Sequence, residues 1–300
     1  MVGSIPPDAI ALSFDVEEWF QTEAAARYYP RKEWDALDSG LDRAVTRILK
    51  FLRGSNGNAT FFFLGWVVDR FPDLARTVMQ EGHEVSSHGY SHRLLTEMTG
   101  EEFGEELRLT TAAFESAGLP PPRGFRAPSF TLVSETLWAV DKLCEHGYLY
   151  DSSIYPMFRH RYGMPGAPLA PFRLLGNECS VLELPMAIVT AGRTRFPVAG
   201  GAYLRFTPKW AYLALLRKVR RQGRIPVLYL HPWELDPEHN LRRAGISSQV
   251  RQGFRTGRAT ESTLGRMLEE FTPVPLATLA EAQGEVPSWS PKATGKQERG

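Results

Sequence analysis

Apolar and polar residues follow two alternating patterns along this chain. Short, nearly continuous apolar runs predict buried strands, whereas stretches with apolar residues three and four apart predict helices. The strand pattern covers residues 10–14, 59–64, 83–87, 124–126, 148–151, 181–184, 226–230 and 274–277. The helix pattern covers residues 41–52, 72–82, 99–118, 134–145, 207–223 and 260–271. Strands and helices that alternate in this way are typical of an α/β fold with a parallel sheet.

Two segments depart from this alternation. Residues 155–201 are rich in proline and glycine, which predicts an insertion between strands. Residues 283–300 are polar, which predicts a flexible tail. At 300 residues the chain is long enough for one large domain or two smaller ones, so length leaves the number of domains open.

Composition narrows the class of protein. The 35 basic and 34 acidic residues nearly balance, whereas nucleic-acid-binding domains carry a basic excess, so no nucleic-acid partner is expected. No run reaches the ~18 apolar residues that a membrane span requires. Residues 1–8 lack the basic and apolar regions of a secretory signal, which predicts a cytoplasmic protein. Two cysteines, Cys144 and Cys179, are too few for a disulfide framework or a cysteine-rich zinc site.

The chemically distinctive residues directly follow apolar strands, and the carboxyl ends of parallel strands carry the active site in α/β sheets and barrels. Asp15 and Glu17 come first. Residues two apart on a strand point to the same side, so both carboxylates can enter one site. The alternative for this acidic segment is a solvated loop.

Two histidines follow the third strand. His88 and His92 are four residues apart, which places them on one face of a helical turn where both can bind one metal ion. Neutral imidazole suits Zn²⁺, Fe²⁺, Co²⁺ or Ni²⁺. The alternative is a chance pair of surface histidines.

Two further strand ends carry an arginine and a histidine. Arg126, followed by Pro128 and Phe130, can hold a neighbouring carboxylate ionised and oriented. His231, followed by Trp233, can act as a general acid because imidazole titrates near neutral pH. The alternatives are an ordinary arginine loop and a histidine capped by a carbonyl group.

These clusters, taken in order, resemble the motifs of the NodB-homology polysaccharide deacetylases, carbohydrate esterase family four. The motifs read Ser-Phe-Asp-Val-Glu at 13–17, His-x-x-x-His at 88–92, Arg-Ala-Pro-Ser-Phe at 126–130, Tyr-Asp-Ser-Ser at 150–153 and Leu-His-Pro-Trp at 230–233. The segments 14–20, 150–156 and 231–234 resemble a narrower branch, the deacetylases of bacterial exosortase and exopolysaccharide loci.

The resemblance implies a single distorted (β/α) barrel of about seven strands over residues 1–282, with an inserted segment at about 155–201. It implies a metal-dependent N-deacetylase acting on an N-acetyl-hexosamine polysaccharide or its precursor, with an N-acetylated glycan as substrate. The implied cofactor is a divalent metal, Zn²⁺ before Co²⁺, Ni²⁺ or Fe²⁺. The implied residues are Glu17, His88 and His92 as metal ligands, Asp15 as general base, His231 as general acid, and Arg126 and Asp151 as supporting catalytic residues. Asp151 is expected to hydrogen-bond His231 or Arg126. For substrate binding they are Phe130, Trp19 and Trp233, although core packing is an equal alternative for both tryptophans.

This chain departs from the commonest family pattern at two motifs. Val16 stands where many members have a second aspartate, so the metal carboxylate is assigned to Glu17, with Glu18 as the rival. Phe130 stands where a tyrosine is frequent, and a backbone N–H near it is expected to hold the oxyanion.

Two other functions remain open from sequence. One is an allantoinase-like hydrolase of small linear or cyclic amides, which would use the same fold and ligand set. The other is an inactive glycan-binding module, although His88, His92 and His231 are all present.

Overall fold

A computed structural model describes residues 5–55, 57–158, 162–192, 194–236 and 256–291. Its strands are β1 (Ala9–Val16), β2 (Thr60–Phe63), β3 (Glu84–Ser87), β4 (Gly124–Phe125), β5 (Tyr150–Asp151), β6 (Phe172–Leu175), β7 (Ser180–Glu183), β8 (Ile188–Ala191), β9 (Thr194–Pro197), β10 (Val227–Leu230), β11 (Thr272–Val274) and β12 (Ser288–Trp289). Its α-helices are α1 (Glu23–Ala26), α2 (Leu41–Arg53), α3 (Gly65–Arg70), α4 (Pro72–Gln80), α5 (Gly100–Ser116), α6 (Trp138–Glu145), α7 (Gly201–Phe206), α8 (Lys209–Arg221), α9 (Arg258–Leu268) and α10 (Leu276–Glu281). Short 3₁₀ helices cover Arg31–Ala36, Leu95–Glu97, Pro128–Phe130, Ser134–Thr136 and Pro232–Leu235. The α/β class predicted from the sequence is therefore confirmed.

Strand β1 pairs with three other strands of the sheet. Its eight residues are all buried, as expected for a parallel strand covered on both faces. It pairs in parallel with β2 on one side and β10 on the other, and β11 pairs with its first residues. The order of the main sheet is β10-β1-β2-β3-β4-β5-β7-β6-β12. The strand ends that carry the candidate residues therefore meet at one edge.

The expectation of an all-parallel sheet is wrong at one side, where β6 runs antiparallel to β7. Both strands lie in the segment 155–201 that was predicted as an insertion, and β8 and β9 form a separate hairpin there. Among the described residues, no ladder joins β10 to β12 or β7, although Ala187 donates a backbone hydrogen bond to the Val227 carbonyl at 3.0 Å. The closed seven-stranded barrel therefore stays a prediction.

Helices cover the sheet with the faces that the apolar spacing predicts. In α2 the buried side chains include Leu41, Val45 and Leu52. Helix α5 begins at a capping box, in which the Thr99 hydroxyl accepts from the Glu102 amide and the Glu102 carboxylate accepts from the Thr99 amide. Within the predicted tail, β12 pairs with β6; residues 292–300 lie outside the described part of the chain.

The two cysteines form a disulfide that ties the end of α6 to the residue before β7. Disulfides are rare in cytosolic proteins, so this pairing argues against the cytoplasmic expectation. Among the described helices, none combines the length and apolar character needed to cross a bilayer.

Thiol titration is the test of this pairing. We expect the protein, unfolded without reductant, to show no free thiol, and reduction to release the thiols of both Cys144 and Cys179. Two free thiols in the unreduced protein, purified without reductant from an oxidising compartment, would contradict the disulfide.

Candidate active site

Glu17, His88 and His92 come together where β1 and β3 end. One ligand-type atom of each side chain lies within 4.8 Å of those of the other two. The His92 Nε2 atom is 2.5 Å from Glu17 Oε2, and His88 Nε2 is 3.9 Å from the same oxygen. All three side chains are almost fully shielded from solvent. The structure thus juxtaposes the three residues assigned as metal ligands.

The surroundings of His88 set its tautomer and its protonation state in the way that metal binding requires. Its Nδ1 atom lies 2.9 Å from the carbonyl oxygen of Arg126, to which only a protonated nitrogen can donate. The Nε2 lone pair therefore faces Glu17, in the arrangement typical of metal-ligating histidines. Burial lowers the pKa of His88 to about 3. The ring is therefore neutral at physiological pH, as a ligand must be.

The donor set fits a divalent metal. Two imidazoles and one carboxylate are the ligands of many catalytic zinc sites, which leave further positions for water and substrate. Burial alone would raise the pKa of Glu17, but the neighbouring imidazoles of His92, His231 and His88 together outweigh burial and lower it. The carboxylate is therefore ionised, as metal binding requires.

The rival carboxylate, Glu18, points elsewhere. One of its oxygens accepts a hydrogen bond from the backbone amide of Gly40 at 3.4 Å, at the start of α2. Burial raises the pKa of Glu18 to about 7. Within the described residues, the geometry favours Glu17 over Glu18 as the ligand.

Arg126 is fully buried and fixes Asp15. The Arg126 Nη1 atom donates to Asp15 Oδ1 at 2.7 Å and to the Ser13 hydroxyl at 2.6 Å. Its other donors bind the carbonyl and hydroxyl of Ser152, at 3.0 Å each. The guanidinium also lies over the Phe62 ring, 4.2 Å from the centroid. Because Arg126 is itself fixed by these contacts, it holds Asp15 in one orientation near the end of β1.

His231 reaches the same centre from β10. Its Nε2 atom is 3.5 Å from Glu17 Oε1, and its Nδ1 atom is 3.4 Å from Glu234 Oε2. The Trp233 ring stacks on the imidazole, with centroids 5.2 Å apart. Burial disfavours protonation of His231, but the bond to Glu234 and the charges of Glu17 and Glu234 raise its pKa to about 9. His231 is therefore protonated at neutral pH and can donate that proton.

Glu234 is itself held by Arg205 of α7, whose Nε atom donates to it at 2.9 Å. Sequence reasoning assigned no role to either residue. An acid three residues after a histidine at a strand end is a usable signal for Glu234. Arg205 offers no such local signal, because it lies 29 residues from its partner.

Asp151 requires a correction. It was expected to hydrogen-bond His231 or Arg126. Instead it accepts from the hydroxyl and amide of Ser153, at 2.6 and 3.0 Å, and it lies against Glu183. Burial raises the pKa of both carboxyl groups, and the charge of Asp151 raises that of Glu183 further. In the described chain, the carboxylate beside His231 Nδ1 is Glu234.

Asp151 instead supports the arginine loop. The Ser153 hydroxyl that donates to Asp151 also accepts from the backbone amide of Ala127, at 2.8 Å. The residue after Arg126 is thereby tied to the end of β5. Asp151 therefore reaches the arginine loop indirectly, through the Ser153 hydroxyl.

Phe130 also requires a correction. A backbone N–H near Phe130 is expected to hold the oxyanion, but the N–H of Phe130 itself already donates to the Ala127 carbonyl at 3.0 Å. Ser129 and Phe130 both have left-handed backbone angles, with φ of 52° and 58°. Such consecutive non-glycine residues are sterically unfavourable and cluster at functional sites. The Phe130 ring packs against Tyr229, with centroids 4.7 Å apart, beside the candidate site.

Trp19 and Trp233 belong to one aromatic cluster with Phe20, Tyr29 and Trp34. Trp19 packs edge-on against Tyr29, with ring centroids 4.9 Å apart. Both tryptophans are only 7% exposed. This burial favours the core-packing alternative for Trp19, whereas Trp233 also contacts His231.

Two family models match the chain. The polysaccharide deacetylase model matches residues 34–148, and a domain of unknown function (DUF3473) matches residues 152–281. The peptidoglycan-N-acetylglucosamine deacetylase of Bacillus cereus is 30% identical over 35% of this chain and 39% of its own length. Chitin deacetylase 2 of Saccharomyces cerevisiae is 30% identical over 42% of this chain and 38% of its own.

A solved structure agrees with the fold. A crystal structure from Mycobacterium smegmatis, provisionally described as a polysaccharide deacetylase, has a TM-score of 0.59 at 21% identity. The alignment covers 93% of this chain and 92% of the other. The family model and the two relatives support a likeness to the polysaccharide deacetylases, whereas the solved structure shows the fold alone. The family model ends before β5, so Asp151, Arg205 and His231 lie outside it, in the DUF3473 segment.

Proposed function

We propose that this protein is a metal-dependent hydrolase that removes N-acetyl groups from an N-acetyl-hexosamine polysaccharide or its precursor, in bacterial exopolysaccharide synthesis. The convergence of Asp15, Glu17, His88, His92 and His231 at one sheet edge carries this proposal. The peptidoglycan and chitin deacetylases that match over about two fifths of their own length support the substrate class.

The site must activate water, stabilise an oxyanion and deliver a proton, because an amide is a weak electrophile and its nitrogen leaves only when protonated. A divalent metal bound by Glu17, His88 and His92, with Zn²⁺ as first choice, supplies Lewis acidity toward the acetyl carbonyl and water. Asp15, held by Arg126, accepts the proton of the attacking water as general base. The water oxygen forms its bond to the acetyl carbon.

His231, at the end of β10, supplies the proton that the departing nitrogen needs. Phe14 and Leu230 are directly paired across β1 and β10. The residues that follow them, Asp15 and His231, therefore lie at neighbouring positions at the ends of these strands. As the carbon–nitrogen bond breaks, His231 gives its proton to the departing sugar nitrogen, and acetate is the second product. Glu234 and Arg205 hold the ring in place for this transfer.

The direct test measures acetate released from a panel of N-acetylated oligosaccharides, including chitooligosaccharides. We expect release that stops with chelator and returns with added Zn²⁺. Ring opening of allantoin without acetate release would favour the small-amide hydrolase. Glycan binding without any turnover would favour an inactive module.

A further inference from the structure

We propose that Glu106 of α5 is a positioning residue that sets metal affinity by holding the turn that carries both histidines. This inference rests on the proposed function, because it takes the group of Glu17, His88 and His92 to be a metal site. Nothing in the local sequence around Glu106 points to the site, which it reaches across the fold.

The turn between the two histidines has an unfavourable backbone. Gly89 has a φ of 77°, and His92 has a φ of 58°. Glycine adopts this left-handed region freely, but a histidine does so at an energetic cost. The position of His92 next to Glu17 therefore depends on contacts that hold the turn in this shape.

Glu106 supplies three of these contacts through its carboxylate. The backbone amides of Tyr90 and Ser91 donate to Oε2 at 3.1 and 2.8 Å, and the Ser91 hydroxyl donates to Oε1 at 2.5 Å. Glu106 is 7% exposed. A buried carboxylate without donors would be costly, and these three donors explain how it is accommodated.

The opposite side of the turn is held by α3. The amide of Gly65 donates to the Gly89 carbonyl at 2.8 Å, and the amide of Trp66 donates to the Tyr90 carbonyl at 3.1 Å. The start of α3 thus binds carbonyl groups of the turn, while Glu106 binds its amides. Removing Glu106 leaves two largely buried amides without their acceptor and frees His92 to leave its left-handed conformation.

The test is the equilibrium affinity of the full chain for Zn²⁺ alone, measured by competition with a chromogenic chelator. We expect Glu106→Ala to weaken affinity about 10–100-fold, the range typical of groups that orient metal ligands. Glu106→Gln keeps an oxygen for the two amides, so we expect it to stay within about tenfold of wild type. The matched control is Glu105→Ala on the same helix, which removes only an exposed pair with Arg108.

A second variant keeps the inference testable if Glu106→Ala does not fold, as judged by circular dichroism. Ser91→Ala removes one bond to Glu106, and we expect a loss of affinity smaller than the about 10–100-fold expected for Glu106→Ala. If Glu106→Ala folds and binds Zn²⁺ with wild-type affinity, the inference is wrong. If Glu106→Ala does not fold, wild-type affinity in Ser91→Ala has the same meaning. Either result leaves the proposed function standing. Absence of Zn²⁺ binding by the wild type overturns the proposed function and this inference with it.

Discussion

Replacing His88 with alanine is expected to lower Zn²⁺ affinity by more than about 100-fold and to abolish acetate release. The loss exceeds that of an orienting group, because a direct ligand disappears. Only two of the proposed ligands then remain, Glu17 and His92. Equilibrium dialysis with elemental analysis gives the affinity, and acetate release from a chitooligosaccharide gives the activity.

The control for this variant is His146→Ala, because His146 is exposed at the end of α6 and lies away from the three-ligand group. We expect His146→Ala to behave as wild type in both measurements. A His88→Ala protein that binds Zn²⁺ with unchanged affinity would refute the ligand assignment.

Replacing His231 with alanine is expected to leave Zn²⁺ affinity nearly unchanged and to reduce turnover by about 10²–10⁴-fold, the usual contribution of a general acid. His231 lies beside the ligand group, 3.5 Å from Glu17, but its other ring nitrogen is paired with Glu234. Its loss removes the proton donor for the departing nitrogen.

The matched variant is Glu234→Gln, which keeps His231 but removes the anion beside its Nδ1 atom. We expect this variant to lose less turnover than His231→Ala, and its rate to fall at a lower pH, because the bond and charge of Glu234 raise the pKa of His231. Full turnover in His231→Ala would exclude His231 as the proton donor. A loss of Zn²⁺ affinity in His231→Ala as large as in His88→Ala would instead indicate a fourth ligand.

The sequence predicted the structure well where one strand carries both the apolar run and a candidate site residue. Strand β1 is buried along its whole length, and Asp15 lies near its end, two residues before Glu17. The helix pattern over residues 99–118 predicted α5 (Gly100–Ser116). The choice of Glu17 over Glu18 followed from the family resemblance.

Sequence reasoning failed where the contacts are long-range. Strands β6, β8 and β9 lie in a segment whose prolines and glycines favour an interpretation as loop. Glu106 lies 15 residues from Ser91, and Arg205 lies 29 residues from Glu234. The expected role of Asp151 was wrong because a buried carboxylate can be satisfied by neighbouring hydroxyl and carboxyl groups, which no sequence spacing reveals.

The position of β1 between β2 and β10 has a consequence for how this protein can change over evolution. The three-ligand group draws on β1 and β3, whereas the proton-donating side draws on α7 and β10, and β1 is the strand that joins the two halves. The half that faces β10 can therefore vary in sequence and adapt proton delivery or substrate fit, while the metal-binding half stays intact. A fragment restricted to residues 34–148 would lack β1, and with it Asp15 and Glu17.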